Sequence, residues 1–272
     1  MGLVLDNKTV KAAPFTFLIN GDALPSVTTS QILLRRHRPG AAINCDGVYG
    51  PKTKGAVSGY QGAHPPLKND GIIGHNTWNS FMKVSGFQTI DVVDGTDPSL
   101  ITFEVNDIRK AGGDPIVVFG QSNGLDFVMS QIARRGRPQN VMLLRIHGHG
   151  GKGTQNVTGG KINGAPHMAS ISLSTYAESE PSLARIRPVL APFGSVQLLG
   201  CDVGGGGGAQ LVQRLSQTWG VPVTAGVHTQ FAGGNDTFRF EGATVTGFPS
   251  GFNLKSWSKA MQDQFGNITM PN

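Results

Sequence analysis

Val141-Met-Leu-Leu-Arg-Ile-His147-Gly-His149-Gly-Gly151 and Val196-Gln-Leu-Leu-Gly-Cys201-Asp-Val-Gly-Gly-Gly-Gly-Gly208 are two apolar runs, one ending in histidines and the other in a cysteine and a glycine loop. Short apolar runs bounded by glycine read as strands buried on both faces of a parallel sheet. Around them strand and helix patterns alternate. Strands are expected at Thr89–Asp94, Pro115–Gly120, Val141–Ile146, Ser195–Leu199 and Pro222–Ala225. Helices are expected at Ser99–Lys110, Leu125–Arg135, Ser182–Leu190 and Ala209–Trp219. Repeated β-α-β units predict a mostly parallel sheet with helices on both faces. A histidine at one strand end and a cysteine at another suit nucleophilic chemistry, since an imidazole raises the thiolate population and later protonates the leaving group. Ligands of open α/β sheets bind outside the carboxyl ends of the strands.

The chain has 272 residues, 38% hydrophobic content, 39 glycines and a formal net charge of +6. That is enough for one large domain or two ordinary ones, globular and rich in loops. A basic surface suits nucleic acid, anionic lipid or an anionic cell wall. No DNA- or RNA-binding module is recognisable, so no nucleic-acid partner is expected. The run Arg35-Arg36-His37-Arg38 reads as a solvated helix end. Two cysteines, Cys45 and Cys201, do not make a disulfide framework. No apolar run approaches the length of a membrane span. Met1–Asn7 has no secretory pattern, and Asp6 breaks the myristoylation motif. The expectation is a protein made in the cytoplasm.

Upstream of the sheet pattern lies an internal repeat. Asp46-Gly-Val-Tyr-Gly-Pro-Lys-Thr53 returns as Asp70-Gly-Ile-Ile-Gly-His-Asn-Thr77. Each copy reads as a glycine turn ending in a threonine N-cap. Helices are expected over Thr28–Arg38, Thr53–Gly62 and Thr77–Val84, with apolar faces at Ala56, Val57, Tyr60 and at Trp78, Phe81, Met82. With Tyr60-Gln61 in the middle helix and Thr77-Trp78 opening the last, residues 26–85 resemble the bacterial peptidoglycan-binding domain appended to wall hydrolases. The resemblance implies a peptidoglycan partner, with Asp46, Gly47, Tyr49, Asp70, Gly71 and Trp78 as its contact residues. Cys45 just before the first turn and the basic end of helix one depart from that family's pattern.

Residues 88–232 resemble the caspase-like clan of cysteine peptidases, on Gly148-His149-Gly150 and Leu198-Leu199-Gly200-Cys201. They are similar above all to the self-cleaving peptidase domain of large bacterial toxins and to a related domain at the front of large bacterial adhesins. His149 and Cys201 are 52 residues apart, close to the roughly 50 of caspases. The resemblance implies Cys201 as nucleophile and His149 as general base and acid. The Gly150 and Cys201 amides would form the oxyanion hole, with no metal and no cofactor. The loop Gly204–Gly208 is expected to bring amides near the sulfur; Asp202 reads equally as a residue that orients a backbone or lines the pocket and as a surface turn residue. Gly159–Ser174 is expected to lie on the substrate side.

His147 is also followed by glycine, so a secondary role for it stays open. So does a metal shared by His147 and His149, with His167 or His228 as a third ligand. The expected organisation is a small three-helix module in residues 1–86 and a caspase-like α/β domain in 87–272. The expected function is that of a wall-targeted cysteine peptidase acting on a peptide or protein substrate after secretion or lysis. The alternatives are a wall-binding protein with an inactive caspase-like scaffold, or a metal-dependent wall hydrolase. A glycan-cleaving enzyme needs paired carboxylates, and Glu104, Glu178 and Glu180 show no such pattern.

Overall fold

The computed structural model describes residues 18, 21–37, 43–158 and 166–267. Of the segment expected to lie on the substrate side, residues 159–165 lie outside the described residues, whereas Pro166–Ala169 form a short helix and Ser170–Ser172 a strand. Three helices, α1 (Pro25–His37), α2 (Pro51–Ala63) and α3 (His75–Ser85), form the N-terminal module. The sequence repeat builds two matching turns. Gln31 of α1 donates to Asp46 at 2.9 Å, to the Val48 carbonyl at 3.1 Å and to the Thr53 hydroxyl at 3.0 Å, and accepts from the Gly47 amide at 3.0 Å. Gln61 of α2 makes the same four bonds, to Asp70 at 3.3 Å, Ile72 at 2.8 Å, Thr77 at 3.0 Å and from Gly71 at 2.8 Å. Gly47 and Gly71 have φ of +76° and +68°, which glycine adopts without steric cost. Thr53 and Thr77 are thus buried acceptors inside the first helical turns, and Gly50 and Gly74 take the N-cap positions expected for them.

The rest of the chain is a mixed sheet flanked by helices. Its strands are β1 (Gln88–Asp94), β2 (Ile116–Val118), β3 (Val141–His147), β4 (Gly150–Gly151), β5 (Thr154–Asn156), β6 (Ser170–Ser172), β7 (Leu190–Leu198), β8 (Val223–Gly226) and β9 (Thr244–Gly247). Six form one sheet in the order β2-β1-β3-β7-β8-β9, parallel except for β9. β4, β5 and β6 make a small antiparallel sheet beside it. The order runs outward from β1 to β2, then reverses to β3, so the topological switch point lies between β1 and β3. The long helices are α4 (Gly124–Arg135), α5 (Tyr176–Leu183), α6 (Gly208–Trp219) and α7 (Leu254–Phe265).

One sheet face buries Ile90, Val92, Leu144, Ile146, Val196 and Leu198 against Leu125, Met129 and Ile132 of α4 and Leu211 and Leu215 of α6. Each such side chain contributes about 1.5–3 kcal/mol on burial, and a one-residue slip would turn all of them outward. The other face carries a polar row in register across five strands, Asp91, Arg145, Gln197, Thr224 and Thr246.

Three local expectations change. The helix expected over 182–190 ends at Leu183, continues as a 3-10 turn Ala184–Val189, and gives way to β7 at Leu190. Pro188 explains this, since it lacks a donor and disfavours helix in the residue before it. The helical segment 98–110 contains a π turn, Ile101–Val105. The run Arg35-Arg36 is not solvated. Arg35 and Arg36 donate to the Gly266 and Phe265 carbonyls at 3.2 and 3.1 Å, and Arg36 lies over the Phe193 ring. Guanidinium groups at the carboxyl end of a helix satisfy its last carbonyls and oppose its dipole.

That helix is α7, which the expected division had grouped with the sheet. It packs on α1 as well as on β7, with Thr28 and Ser258 hydroxyls 2.6 Å apart, the Cys45 amide donating to Gln262 at 2.6 Å, and the Phe265 ring 5.3 Å from that of Phe193. Among the described residues no helix is long and apolar enough to cross a membrane.

Candidate active site

β3 ends at His147, and Gly148 turns the chain so that His149 lies at the carboxyl edge of the sheet, exposed. β1 ends beside it at Asp94. Three residues on, Asp97 caps the helical segment 98–110, its Oδ1 accepting from the Ser99 amide at 2.7 Å. Its other oxygen, Oδ2, lies 2.6 Å from His149 Nε2. The helix start thus fixes the carboxylate, and the carboxylate orients the imidazole. With Nε2–H donating to Asp97, Nδ1 is left as the basic nitrogen. Hydrogen bonds from Ser99, then from His149, hold the Asp97 carboxyl below its usual range. This pair spans the switch point between β1 and β3.

β7 pairs with β3, and three residues beyond its end stands Cys201, half-buried. Gly150 packs on the Cys201 peptide so closely that a Cβ there would come within 2.5 Å of the Cys201 carbonyl and 2.8 Å of its amide nitrogen. Only glycine fits. Gln155, buried on β5, accepts the Gly200 amide at 2.9 Å and joins the small sheet to the same strand end. The Cys201 sulfur lies between the Gln230 carbonyl at 3.3 Å and the Gln230 amide at 3.4 Å. Among the described residues no hydrogen bond joins Cys201 to His149. Asp202 follows in the left-handed region at φ +57°. Such a non-glycine residue stores about 1–3 kcal/mol of strain and is typical of functional sites. Its amide is tied to the His228 carbonyl at 3.0 Å.

The glycine loop differs from expectation. Three of its amides are spent on the fold, Gly204 on Gly226, Gly205 on Asp202 and Gly208 on Gly205, while the amide that donates to the sulfur is that of Gln230. The glycines are needed for close approach: a Cβ on Gly208 would come within 2.1 Å of the Val203 carbonyl.

His147 also departs from the role left open for it. It is wholly buried, Nε2 3.1 Å from Asp91 and Nδ1 3.3 Å from Glu104. Arg145, equally buried, grips Asp91 at 2.6 and 3.0 Å and lies over the Phe238 ring. The π turn brings Glu104 into this cluster. Burial pushes the Asp91 carboxyl up, but Arg145 and His147 outweigh it and hold it at about 2. Burial pushes His147 down, yet Glu104 and Asp91 leave it raised. The two histidines therefore face different partners and do not converge on one ion. His167 pairs with Glu178 instead, and among the described residues no three His, Cys, Asp or Glu side chains are placed to hold a metal ion.

In the N-terminal module, the six expected contact residues divide. Gly47, Tyr49, Gly71 and Trp78 are buried, and the Tyr49 hydroxyl donates to the Gly71 carbonyl at 2.9 Å. They hold the module together and are out of reach of an outside polymer. Asp46 is exposed and Asp70 half-buried, each also bonded within its own turn.

Two residues of the rim were missed in the sequence. Asp97 had a signal, an aspartate before Pro98 and Ser99 at the start of a helix. Gln230 had none, because it reaches the sulfur from a loop beyond β8.

Two segments of the chain match known families. Residues 24–80 match the family described as "Putative peptidoglycan binding domain". Residues 105–237 match the family described as "Domain of unknown function (DUF4347)". No curated protein and no solved structure matches the chain. The N-terminal module is thus of peptidoglycan-binding type, which supports association with the cell wall.

Proposed function

We propose that the chain is a wall-associated cysteine peptidase with its site at the carboxyl edge of the sheet. The observation that carries the reading is the Asp97–His149 pair at 2.6 Å just beyond the ends of β1 and β3, with Cys201 just beyond the end of β7, the neighbour of β3. A carboxylate that orients an imidazole beside a thiol is the arrangement nucleophilic catalysis needs. In this reading His149 Nδ1 takes the thiol proton as the sulfur bonds to the peptide carbonyl carbon. The imidazolium then gives that proton to the leaving amine as the C–N bond breaks, and water hydrolyses the thioester. The Gly150 and Cys201 amides serve the oxyanion. Exposed Phe103, Phe119 and Phe231 around the rim suit a substrate with apolar side chains near the cut bond.

The test is incubation with purified sacculi and with a mixed protein substrate, each beside Cys201→Ala. New amino termini only with the wild type support the proposal. A second reading, a wall-anchoring protein with an inactive sheet domain, is favoured by one observation: the sulfur is bonded to Gln230 and not to His149. Absence of cleavage under all conditions would select it. A catalytic contact is often long in the free enzyme and tightens with substrate.

A further inference from the structure

α7 does more than close the N-terminal module. Leu254 and Ser258 lie over Gly47, so that a Cβ there would meet them at 2.7 and 3.0 Å. Beside this contact a cavity of about 530 Å³ opens between the first turn and α7. One wall is Asn44 and Asp46; the other is Asn253, Lys255, Ser256 and Lys259. Lys259 pairs with Asp263 at 2.8 Å, whereas Lys255 makes no ion pair among the described residues. Two exposed apolar side chains adjoin the walls in sequence: Val48, two residues after Asp46, and Phe252, just before Asn253. The cavity therefore presents ammonium groups, amides, a hydroxyl and a carboxylate.

We infer that this groove is a binding site for a peptidoglycan fragment, an acidic stem peptide with its N-acetylated sugar. The inference rests on the peptidoglycan-binding type of the module. It goes further in making the site composite, because α7 lies outside the matched residues 24–80. Stem-peptide carboxylates are the natural partners of Lys255 and Lys259, and Asn44 and Asn253 line the same cavity with amides for the peptide backbone. The apolar face of a sugar ring packs on an aromatic side chain such as Phe252. The buried core residues Tyr49 and Trp78 supply none of this, and their burial is the reason to look for the ligand elsewhere.

The experiment is a sacculus pulldown with the full chain, comparing wild type, Lys255→Glu, Phe252→Ala and the charge control Lys83→Glu, an exposed lysine of α3. Expected is binding weakened about tenfold or more by Lys255→Glu and severalfold by Phe252→Ala, with Lys83→Glu within about twofold of wild type. Equal melting temperatures show that each variant is folded. If Lys255→Glu fails to fold, Lys255→Ala takes its place. Soluble stem-peptide-bearing fragments should compete, and glycan strands stripped of peptide should compete poorly. Wild-type binding that Lys255→Glu leaves unchanged overturns the groove and spares the module's assignment. Failure of the wild type itself to bind overturns the assignment, and the groove with it. Equal loss in Lys83→Glu reduces the effect to net charge and also overturns the groove.

Discussion

His147 and His149 are two residues apart in one motif, yet they belong to opposite kinds of site. His147 is enclosed with Arg145, Asp91 and Glu104, every one of them buried. His149 is exposed and held by a single carboxylate, Asp97. A closed cluster of four ionisable groups is costly to desolvate and tolerates loss of a partner badly. An exposed pair is worth little to stability, and its geometry is free to serve chemistry. The contrast teaches that burial, not residue type, separates the structural histidine from the candidate catalytic one.

The largest effect should come from opening the buried cluster. Arg145→Ala leaves Asp91 charged and enclosed, and should lower the unfolding free energy by about 3–5 kcal/mol in urea titration. His149→Ala should change it by less than about 0.5 kcal/mol. Similar losses for the two would erase the distinction.

Next comes activity. His149→Ala should reduce cleavage at least about 100-fold and slow alkylation of Cys201 by iodoacetamide. Cys45 is the internal control, since burial pushes its thiol up to about 12 and leaves almost no thiolate at neutral pH. Equally slow labelling of both cysteines in the wild type would point to an inactive scaffold.

Asp97→Asn should act more weakly, about tenfold on kcat with little change in KM, because it disturbs only the orientation of His149. A KM effect without a kcat effect would place Asp97 on the substrate instead.

The smallest effect is a pH slope. The folded His147 is raised above 6.5, so its contribution to stability is complete below that pH and is lost as pH rises through the folded value. Asp91 works at the other end. Its contribution is present above 3.8 and disappears as pH falls towards about 2. Wild type minus His147→Gln, measured as unfolding free energy from pH 5 to 9, isolates the histidine. The subtraction matters because His37, lowered by burial and by His64 and Arg36, tilts the other way. A flat difference would show that His147 is neutral throughout.

Much of this was legible in the chain. The repeated Asp-Gly turns, the strands ending near His149 and Cys201, and the helices between them are written in local pattern, because turn glycines and apolar periodicity act over a few residues. What the pattern could not carry was choice of partner. Asp97 meets His149 because β1 and β3 are neighbours in register; Glu104 meets His147 because a π turn rotates it inward. Arg35 and Arg36 looked like a solvated helix end until α7 returned across the whole chain to place its last carbonyls against them. Tyr49 and Trp78 looked like wall contacts and are core, since an aromatic beside a turn reads the same whether it faces solvent or the next helix. Sequence by itself determined which elements form and which residues are candidates for chemistry. Only the tertiary structure decided which of those residues are buried together, because burial and pairing depend on strand order and on segments far apart along the chain.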